Sequence, residues 1–394
     1  MTDNKGTQGK EVGNGGVGGN GSLYGPVGNG GTDGAYGAIA APGKGNTTGT
    51  RCPAGDGRAD RGPAGCSPDI SAVEALLTDE PAAELFARAD RVRHEAVGDE
   101  VQIRGIIEFS NICRNDCFYC GIRRGNSTTR RYRMSEDEAV ATAAKAAALG
   151  YKTVVLQSGE DMHFDSGRMS RIIERIKRLD VAVTLGLGER EYSDYKAFKD
   201  AGADRYLLRI ETTDQDLYRS LHPRMDWQYR HECLMMIKEL GYELGSGFMV
   251  GLPGQSTASI AGDLLYLKDI GVDMAGIGPF IPHPGTPLRD EAGGTLEMSM
   301  RAMAAMRLLL PDINIPATTA METLHPEGRM KALQAGANVI MLNVTGTVYG
   351  GLYDLYPGKE KPGSKPEDSR KRIEAAICSI GRAVGQGPGG HKRK

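Results

Sequence analysis

The 394-residue chain carries 48 Lys and Arg residues against 50 Asp and Glu residues, a formal net charge of −2, so it lacks the basic field that binds a nucleic-acid backbone. Hydrophobic residues make up 40% and charged residues 25%, as in ordinary globular proteins, and no apolar run approaches the roughly 20 residues of a membrane span. The seven cysteines are too few, and odd in number, for the disulfide framework of a secreted protein. We therefore expect a protein of a reducing, cytoplasmic interior, with neither nucleic acid nor membrane as a partner.

Residues 1–70 form a glycine-rich segment, with runs such as "VGNGGVGGNGSLYGPVGNGG", in a chain that contains 55 glycines. Almost no apolar side chain is present there to offset the entropy of ordering glycine. We therefore predict a disordered tail at 1–70, in which Cys52 and Cys66 are free thiols, followed by one folded domain at 71–394. An organelle-targeting role for the tail has weak support, because transit peptides are rich in Arg and poor in acidic residues.

The folded part begins with a helical stretch, residues 67–98, which Pro81 interrupts. After it, short apolar runs alternate with amphipathic helical patterns, as is typical of βα units that build a parallel sheet. The predicted strands are 101–109, 152–157, 181–187, 205–210, 243–250, 272–277, 313–316 and 338–342. The predicted helices between them are 135–149, 168–179, 191–201, 226–240, 256–270, 295–310 and 326–335. Such units close most economically as a (β/α)8 barrel of the TIM type, and an open doubly wound sheet is the alternative.

A barrel of this kind carries its chemistry in the loops that follow the strands. Each predicted strand ends in a distinctive polar cluster, so we expect these clusters to meet at one rim of the barrel. The clusters are 110–124, "QSGED" (157–161), "LGER" (187–190), "RIET" (209–212), "GLPGQ" (251–255), "GPFIPHPGTPL" (278–288), "ATTAM" (317–321) and "NVTGT" (343–347).

Three of the seven cysteines, Cys113, Cys117 and Cys120, lie together in the first of these clusters. Four thiolates would close a structural zinc site, whereas three leave one position of a metal centre open. In a [4Fe–4S] cluster the fourth iron then accepts an external ligand. The alternatives are a zinc site with a distant fourth ligand and three unrelated core cysteines. Cys233 is a poor fourth ligand, because we expect it on a helix away from the rim.

This thiol spacing at the end of the first strand, with Tyr119 as the aromatic residue before the last cysteine, resembles the radical S-adenosylmethionine (SAM) superfamily. From about residue 75 to 360 the likeness extends to the HydE family of [FeFe]-hydrogenase maturases. Methylornithine synthase (PylB) and biotin synthase share the barrel and the thiol motif, but "QSGED", "FIPHPGTPL" and "NIPATTAM" together favour HydE. The other segments that resemble HydE are "EFSNICRNDCFYCGIRR", "GADRYLLRIET", "MVGLPGQ", "GANVIMLN" and "LYDLYPGK".

The resemblance implies that Cys113, Cys117 and Cys120 hold one [4Fe–4S] cluster, whose open iron binds the amino and carboxylate groups of SAM. One electron then splits the sulfonium and yields a 5′-deoxyadenosyl radical. Glu211, at the end of the fourth strand, is suited to the SAM ammonium, and Arg230 to its carboxylate. Further residues predicted to line the SAM site are Tyr119, Gln157, Ser158, Thr184 and Tyr353.

A second set of residues is predicted to face the substrate. Arg209 lies two residues before Glu211, so on a strand both side chains point to the same face. A buried Arg is costly without an anionic partner, so we expect the substrate to carry a carboxylate or another negative group. The remaining residues predicted on the substrate side are Thr318, Thr319, Met341 and Tyr356. His283, between two prolines, is predicted to have a structural role in its loop.

The resemblance also implies a substrate and partners. The implied substrate is an iron-bound cysteine carrying CO and cyanide, received from the radical enzyme HydG, with HydF and a reductant protein as further partners. The residues by themselves support only radical attack on a small anionic ligand of the amino-acid type. Two alternatives stay open, namely another radical SAM enzyme of the PylB or biotin synthase kind, and an iron–sulfur electron-transfer protein without radical chemistry.

The cysteine distribution also predicts how many clusters the chain holds. Some HydE proteins carry additional cysteines after the segment that resembles "YPGK", and these hold a second cluster. Here Cys378 is the only cysteine after Tyr356, and one thiol cannot hold a cluster. We therefore predict a single cluster and expect Cys378, in "IEAAICSIG", to pack in an apolar helix face.

Overall fold

The computed structural model describes residues 69–359 and 365–391. The predicted disordered tail at 1–70, with Cys52 and Cys66, lies outside the described residues except for its last two positions. The division into a tail and one folded domain therefore stays a prediction. No helix in the described part of the chain is long and apolar enough to cross a membrane.

Two helices precede the sheet, α1 (Ile70–Thr78) and α2 (Ala82–Val97). Pro81 is the N-cap of α2, which confirms the predicted interruption: its missing N–H costs nothing at a helix start, where that donor has no intrahelical acceptor. Both helices pack on the outside of the barrel, α1 against the helix Thr257–Asp269 (α8) and α2 against the helix Leu296–Leu309 (α9).

The sheet consists of parallel strands whose order follows the chain, with β1 pairing both β2 and β8. This order confirms the (β/α)8 barrel and excludes the open doubly wound sheet, because a doubly wound sheet reverses its strand order. The seam between β6 and β7 is joined by a single bridge, Met274 to Asn314. The strands are β1 Glu100–Ser110, β2 Thr153–Ser158, β3 Ala182–Gly186, β4 Arg205–Leu207, β5 Glu243–Val250, β6 Met274–Pro279, β7 Pro316–Ala317 and β8 Val339–Asn343.

Helices cover the outside of the barrel and follow the predicted ranges closely. The remaining helices are α3 Glu136–Ala148, α4 Ser166–Lys177, α5 Tyr192–Asp200, α6 Gln215–Leu221, α7 Trp227–Glu239, α8 Thr257–Asp269, α9 Leu296–Leu309, α10 Thr319–Leu324, α11 Gly328–Leu333 and α12 Pro366–Ser379. The short helices α6 and α10, the 3₁₀ helix Gly350–Leu352 and the two-residue strand β9 (Ala383–Val384) were not predicted, since each is too short to show a periodic pattern.

The fourth strand is shorter than the predicted 205–210. After Leu207 the side-chain hydroxyl of Ser246 accepts the N–H of Ile210 at 3.2 Å, in place of a main-chain carbonyl. A single bridge to β5 follows at Glu211, whose N–H donates to the carbonyl of Gly247 at 3.1 Å and whose φ is +69°. This left-handed backbone is costly for a residue with a side chain, so the surrounding hydrogen bonds must hold it there.

The last described segment closes the end of the barrel at which the strands begin. The carbonyl of Gly389 accepts from Arg104 Nη2 at 2.9 Å, and that of Pro388 accepts from Thr153 Oγ1 at 2.7 Å. His391 Nδ1 lies 2.6 Å from a carboxylate oxygen of Asp273. A cavity of about 820 Å³ lies beside this tail, and its lining contains none of the clustered thiols.

Candidate functional site

A second cavity, of about 360 Å³, lies where the strands end, and most of the predicted site residues line it. Its walls come from the loop after β1, the ends of β2, β4 and β6, the start of α10 and the segment after β8. The predicted residues in its lining are Cys113, Cys117, Tyr119, Cys120, Gln157, Ser158, Arg209, Glu211, Thr318, Tyr353 and Tyr356.

Arg131 braces the thiol loop from its outer side. Its Nη1 donates to the carbonyls of Asn111 and Ile122, each at 2.7 Å, and its Nη2 donates to that of Arg123 at 2.6 Å. One guanidinium therefore ties the two ends of the loop together. Asn126 completes the brace, because its side-chain amide donates to the carbonyl of Gly121 at 2.7 Å.

Gly159, in the "QSGED" segment, lets the end of β2 approach the thiol loop. A Cβ there would overlap the carbonyl oxygen of Ile112 and lie 2.9 Å from Cβ of Cys113. The next residue, Glu160, directs its N–H toward Cys113 Sγ at 3.4 Å. The first thiol is therefore held against β2 by a contact that any residue larger than glycine would disrupt.

The three cysteines are partly buried, and their surroundings favour the protonated thiol over the thiolate. Burial raises the pKa of Cys113, Cys117 and Cys120, the last to about 12, and the nearby thiols add to the shift of Cys117 and Cys120. A bound metal deprotonates a coordinating thiol outright. Within the described residues no group of three His, Cys, Asp or Glu side chains is close enough to hold one metal ion. A [4Fe–4S] cluster fits this arrangement, since it binds each thiolate through a different iron.

The cavity wall also carries buried polar atoms that lack a hydrogen-bond partner among the described residues. These atoms include Glu211 Oε2 and Thr318 Oγ1, together with Nε of Arg209. Arg209 Nη2 lies 3.0 Å from Glu211 Oε2, but the two are not aligned for a hydrogen bond. Buried polar atoms are almost always satisfied, so a wall of unsatisfied ones indicates a place for a polar ligand.

Arg230 lies behind this wall and outside the cavity lining. Its Nε is 2.7 Å from Glu189 Oε1, and its Nη1 donates to the carbonyl of Arg209 at 2.9 Å. Both side chains of the Arg230–Glu189 pair are buried. The predicted contact between Arg230 and the SAM carboxylate therefore requires the Arg230 guanidinium to reach past Glu189. This role of Arg230 stays a prediction.

The segment after β8, residues 349–359, forms the remaining wall, here named the tyrosine wall. It is joined to the thiol loop because Gly121 N–H donates to the carbonyl of Leu355 at 3.0 Å. Behind Tyr353, the ammonium of Lys359 forms an ion pair with Glu108 of β1 and lies 4.6 Å from the centre of the Tyr353 ring. The Glu108 and Lys359 side chains are 2% and 13% exposed, so this ion pair is buried.

Besides Arg230, three further predicted site residues lie away from the cavity lining. Thr184 is fully buried in the middle of β3, where it pairs in register with Val155 and Arg205, and its hydroxyl oxygen lacks a hydrogen-bond partner among the described residues. Met341 is likewise paired with Arg104, whose guanidinium contacts the C-terminal tail. Thr319 accepts a hydrogen bond from Arg329 Nη2 at 3.2 Å, directly behind the cavity wall.

Two cysteines outside the loop were assigned positions from sequence. Cys233 is buried on α7, as predicted, and its thiol lies 3.8 Å from the carbonyl oxygen of Arg190. Cys378 lies on α12, but its predicted packing in an apolar face is wrong, because the residue is exposed. The apolar face of α12 is carried instead by Ile373 and Ile377.

The sequence reasoning omitted two carboxylates that the structure places beside the site. Glu160 lines the cavity, pairs with Arg114 and accepts from Asn115 Nδ2 at 3.0 Å. Glu189 receives Arg230, as described. Both residues belong to polar clusters predicted at strand ends, so sequence could have indicated their positions. Their partners come from distant loops and could not be predicted in this way.

Comparison with known proteins agrees with this geometry. The model of the radical SAM superfamily matches residues 107–267, and that of the biotin and thiamin synthesis associated domain matches residues 277–368. The chain is 51% identical over 311 residues to the [FeFe] hydrogenase maturase subunit HydE of Thermotoga maritima, covering 78% of this chain and 89% of that protein. It is 28% identical over 275 residues to the 3-methylornithine synthase of Methanosarcina acetivorans, covering 69% and 77%. The crystal structure of methylornithine synthase (PylB) shares the fold, with a TM-score of 0.71 at 23% identity over 80% of this chain and 94% of that one.

Proposed function

The chain belongs to the HydE family of radical SAM enzymes, and we propose that it cleaves SAM reductively during assembly of the di-iron site of [FeFe]-hydrogenase. The observation that carries the proposal is the cavity itself. Three unpaired thiols line one side of it, and unsatisfied polar atoms of Arg209, Glu211 and Thr318 line another.

Cys113, Cys117 and Cys120 are the proposed ligands of one [4Fe–4S] cluster. When bound there with SAM, the cluster supplies the one-electron reduction that releases a 5′-deoxyadenosyl radical. The protein holds the thiols at fixed positions through the Arg131 brace and the close approach of Gly159. Because the residues leave one side of the site to the open cavity, an external ligand has access to it.

The polar wall is suited to the amino-acid end of SAM. Glu211 presents a carboxylate oxygen without a hydrogen-bond partner among the described residues, which can accept from an ammonium. Its left-handed backbone aims that oxygen into the cavity, since a φ of +69° redirects the chain at the end of β4. Arg230 would reach the carboxylate after partial release from Glu189. We propose that Gln157, Ser158 and Tyr119 contact the remainder of SAM.

The substrate side is the part of the cavity between Arg209, Thr318 and Tyr356. Arg209 is the only guanidinium in the lining as described; its Nη2 lies 3.0 Å from Glu211 Oε2, and its Nε, which has no hydrogen-bond partner among the described residues, can donate to a small anionic substrate. Thr318 can donate a hydrogen bond from its unpartnered hydroxyl. We propose an iron-bound cysteine carrying CO and cyanide as this substrate, by similarity to HydE, with Thr319 and Met341 supporting the site from outside its lining.

The tyrosine wall has the role of excluding water from the reaction. Tyr353 is buried, and burial raises its pKa well above the usual value, so the phenol stays protonated. Burial also raises the pKa of Tyr356, so its phenol stays protonated as well. Neutral phenols at the wall limit competing proton and radical loss to solvent.

The test is anaerobic reconstitution with iron and sulfide, followed by electron paramagnetic resonance with and without SAM. We expect one cluster per chain, with a spectrum that changes when SAM is added. A cluster spectrum that is insensitive to SAM would instead indicate the electron-transfer alternative. Tetrahedral binding of zinc with no iron would exclude the cluster altogether.

A second assay separates the maturase from an enzyme of the PylB or biotin synthase kind. The purified protein is added to a hydrogenase maturation mixture that contains HydG, HydF and a reductant protein but lacks HydE. We expect hydrogenase activity to be restored. Intact SAM cleavage without restoration would refute the maturase assignment and leave the radical SAM chemistry in place.

A further inference from the structure

The thiol loop contacts the chain turn that follows α6, residues 221–225, which we name the docking turn. The N–H of Phe118 donates to the carbonyl of Leu221 at 3.0 Å. The hydroxyl oxygen of Tyr119 lies 2.8 Å from His222 Nε2, and Cys117 Sγ lies 3.7 Å from the Met225 sulfur. Three consecutive residues of the loop are therefore held by one short turn.

His222 is at the centre of these contacts and has only one reasonable tautomer. Its Nδ1 lies 2.7 Å from the carbonyl oxygen of Tyr218, which can only accept, so Nδ1 carries the hydrogen. Burial and the charge of Arg230 lower the pKa of His222 to about 3, which keeps the ring neutral. Nε2 therefore presents a lone pair, and Tyr119 must be the donor.

Packing also restrains the imidazole ring of His222. Its plane stacks on Tyr218 with centroids 4.0 Å apart, and the Tyr119 ring meets it edge-on at 5.3 Å. The turn is closed by the N–H of Met225, which donates to the carbonyl of His222 at 3.1 Å. His222 is 1% exposed, so without it the Tyr119 hydroxyl would face a dry site.

We propose that His222 is a positioning residue for the cluster site: by accepting the Tyr119 hydroxyl, it fixes the part of the loop that lies between Cys117 and Cys120. Tyr119 lines the cavity, and two thiols are within two residues of it in the chain. Rotation of Tyr119 would move both sulfurs and the wall that SAM contacts. The inference rests on the proposed function, since it concerns how that site is arranged.

The experiment compares His222→Leu, Tyr119→Phe and the double variant with wild type, all reconstituted anaerobically. The readouts are SAM affinity and the SAM-dependent change in the electron paramagnetic resonance spectrum. We expect each single variant to bind SAM about five- to tenfold more weakly, as the loss of one buried hydrogen bond implies. The double variant should lose little more than either single variant, because both remove the same interaction.

His222→Gln is the conservative variant, because its amide oxygen can accept from Tyr119 near the position of Nε2, and we expect it to restore most of the SAM affinity. His231→Leu is the matched control. His231 Nδ1 forms a hydrogen bond of equal length, 2.8 Å, with the Tyr266 hydroxyl, but neither residue is in the cavity lining. We expect this control to lose stability without any change in SAM affinity or spectrum.

The outcomes separate the two proposals. If wild type itself shows no response to SAM, the proposed function fails, and the positioning role fails with it. If wild type responds and His222→Leu responds identically, with only its thermal stability reduced, the positioning role alone is refuted. Additive losses in the double variant would also overturn it, since they would show that the two side chains act independently.

Discussion

Lys359→Met tests whether the buried ion pair behind the tyrosine wall stabilises this part of the barrel. The variant keeps the aliphatic length but leaves Glu108, whose side chain is 2% exposed, without its counter-charge. Removing one partner of a buried pair costs about 3–5 kcal/mol, because the other charge stays buried and uncompensated. We expect a loss of that size in the free energy of unfolding at pH 8, measured by urea denaturation under anaerobic conditions.

The pH dependence of this loss follows from Glu108. Burial raises its pKa above the usual value, and the charge of Lys359 and its hydrogen bond oppose that shift. In Lys359→Met the folded-state pKa therefore rises further. The folded variant binds a proton that the unfolded chain does not, so its stability falls as pH rises through that pKa. We expect the deficit relative to wild type to be largest at pH 8 and to shrink as the pH approaches 5.

Two further variants make the test specific. The double variant Glu108→Gln/Lys359→Met removes both charges and should recover most of the lost stability at pH 8. Lys196→Met breaks an exposed pair with Asp200, in which the nitrogen and oxygen are 2.6 Å apart, and should lower the free energy of unfolding far less than Lys359→Met does, because solvent screens the exposed pair. A Lys359→Met loss no greater than that of Lys196→Met, or one independent of pH, would refute the reasoning.

Three other changes test the candidate site. Glu211→Gln keeps the shape but removes the charge, and we expect about 10- to 100-fold weaker SAM binding by calorimetry, as for a lost charge-assisted hydrogen bond; unchanged affinity would exclude its contact with the ammonium. Gly159→Ala should lower the iron bound on reconstitution, because its Cβ overlaps the thiol loop, whereas Gly262→Ala, with its nearest neighbour at 3.5 Å, should bind iron as wild type does. Cys113→Ser should abolish the SAM-responsive cluster while Cys378→Ser leaves iron content unchanged; an equal loss in both would contradict the single three-thiol cluster.

The barrel could be predicted from sequence because the apolar pattern of each strand and helix is local. Strands such as Glu243–Val250 and helices such as Trp227–Glu239 repeat their apolar residues at the period of one element, whatever lies next to them. The thiol spacing is equally local, and so is the rule that strand ends carry the chemistry. The short helices α6 and α10 and the two-residue strand β9 were not predicted, because too few of their residues show a period.

The depth of a residue within the barrel could not be predicted from sequence in the same way. Gln157 and Thr184 both lie on predicted strands, yet only Gln157 lines the cavity. Thr184 lies two residues before the end of β3 and pairs with Val155 of β2, whereas Gln157 pairs with Gly186, the last residue of β3. The tilt and stagger of strands in a closed sheet set this depth, and neither is encoded in the alternation of one strand.

The sequence by itself determined the fold class, the thiol loop and the charged residues at the strand ends, because each depends on neighbours a few positions away. Only the tertiary structure decided which partner each polar group meets. Arg230 meets Glu189, Glu108 meets Lys359, and Tyr119 meets His222 across 103 residues. Such contacts join residues that are far apart in the chain. They form only when the sheet closes and the separate loops take their final paths, so no local sequence pattern predicts them.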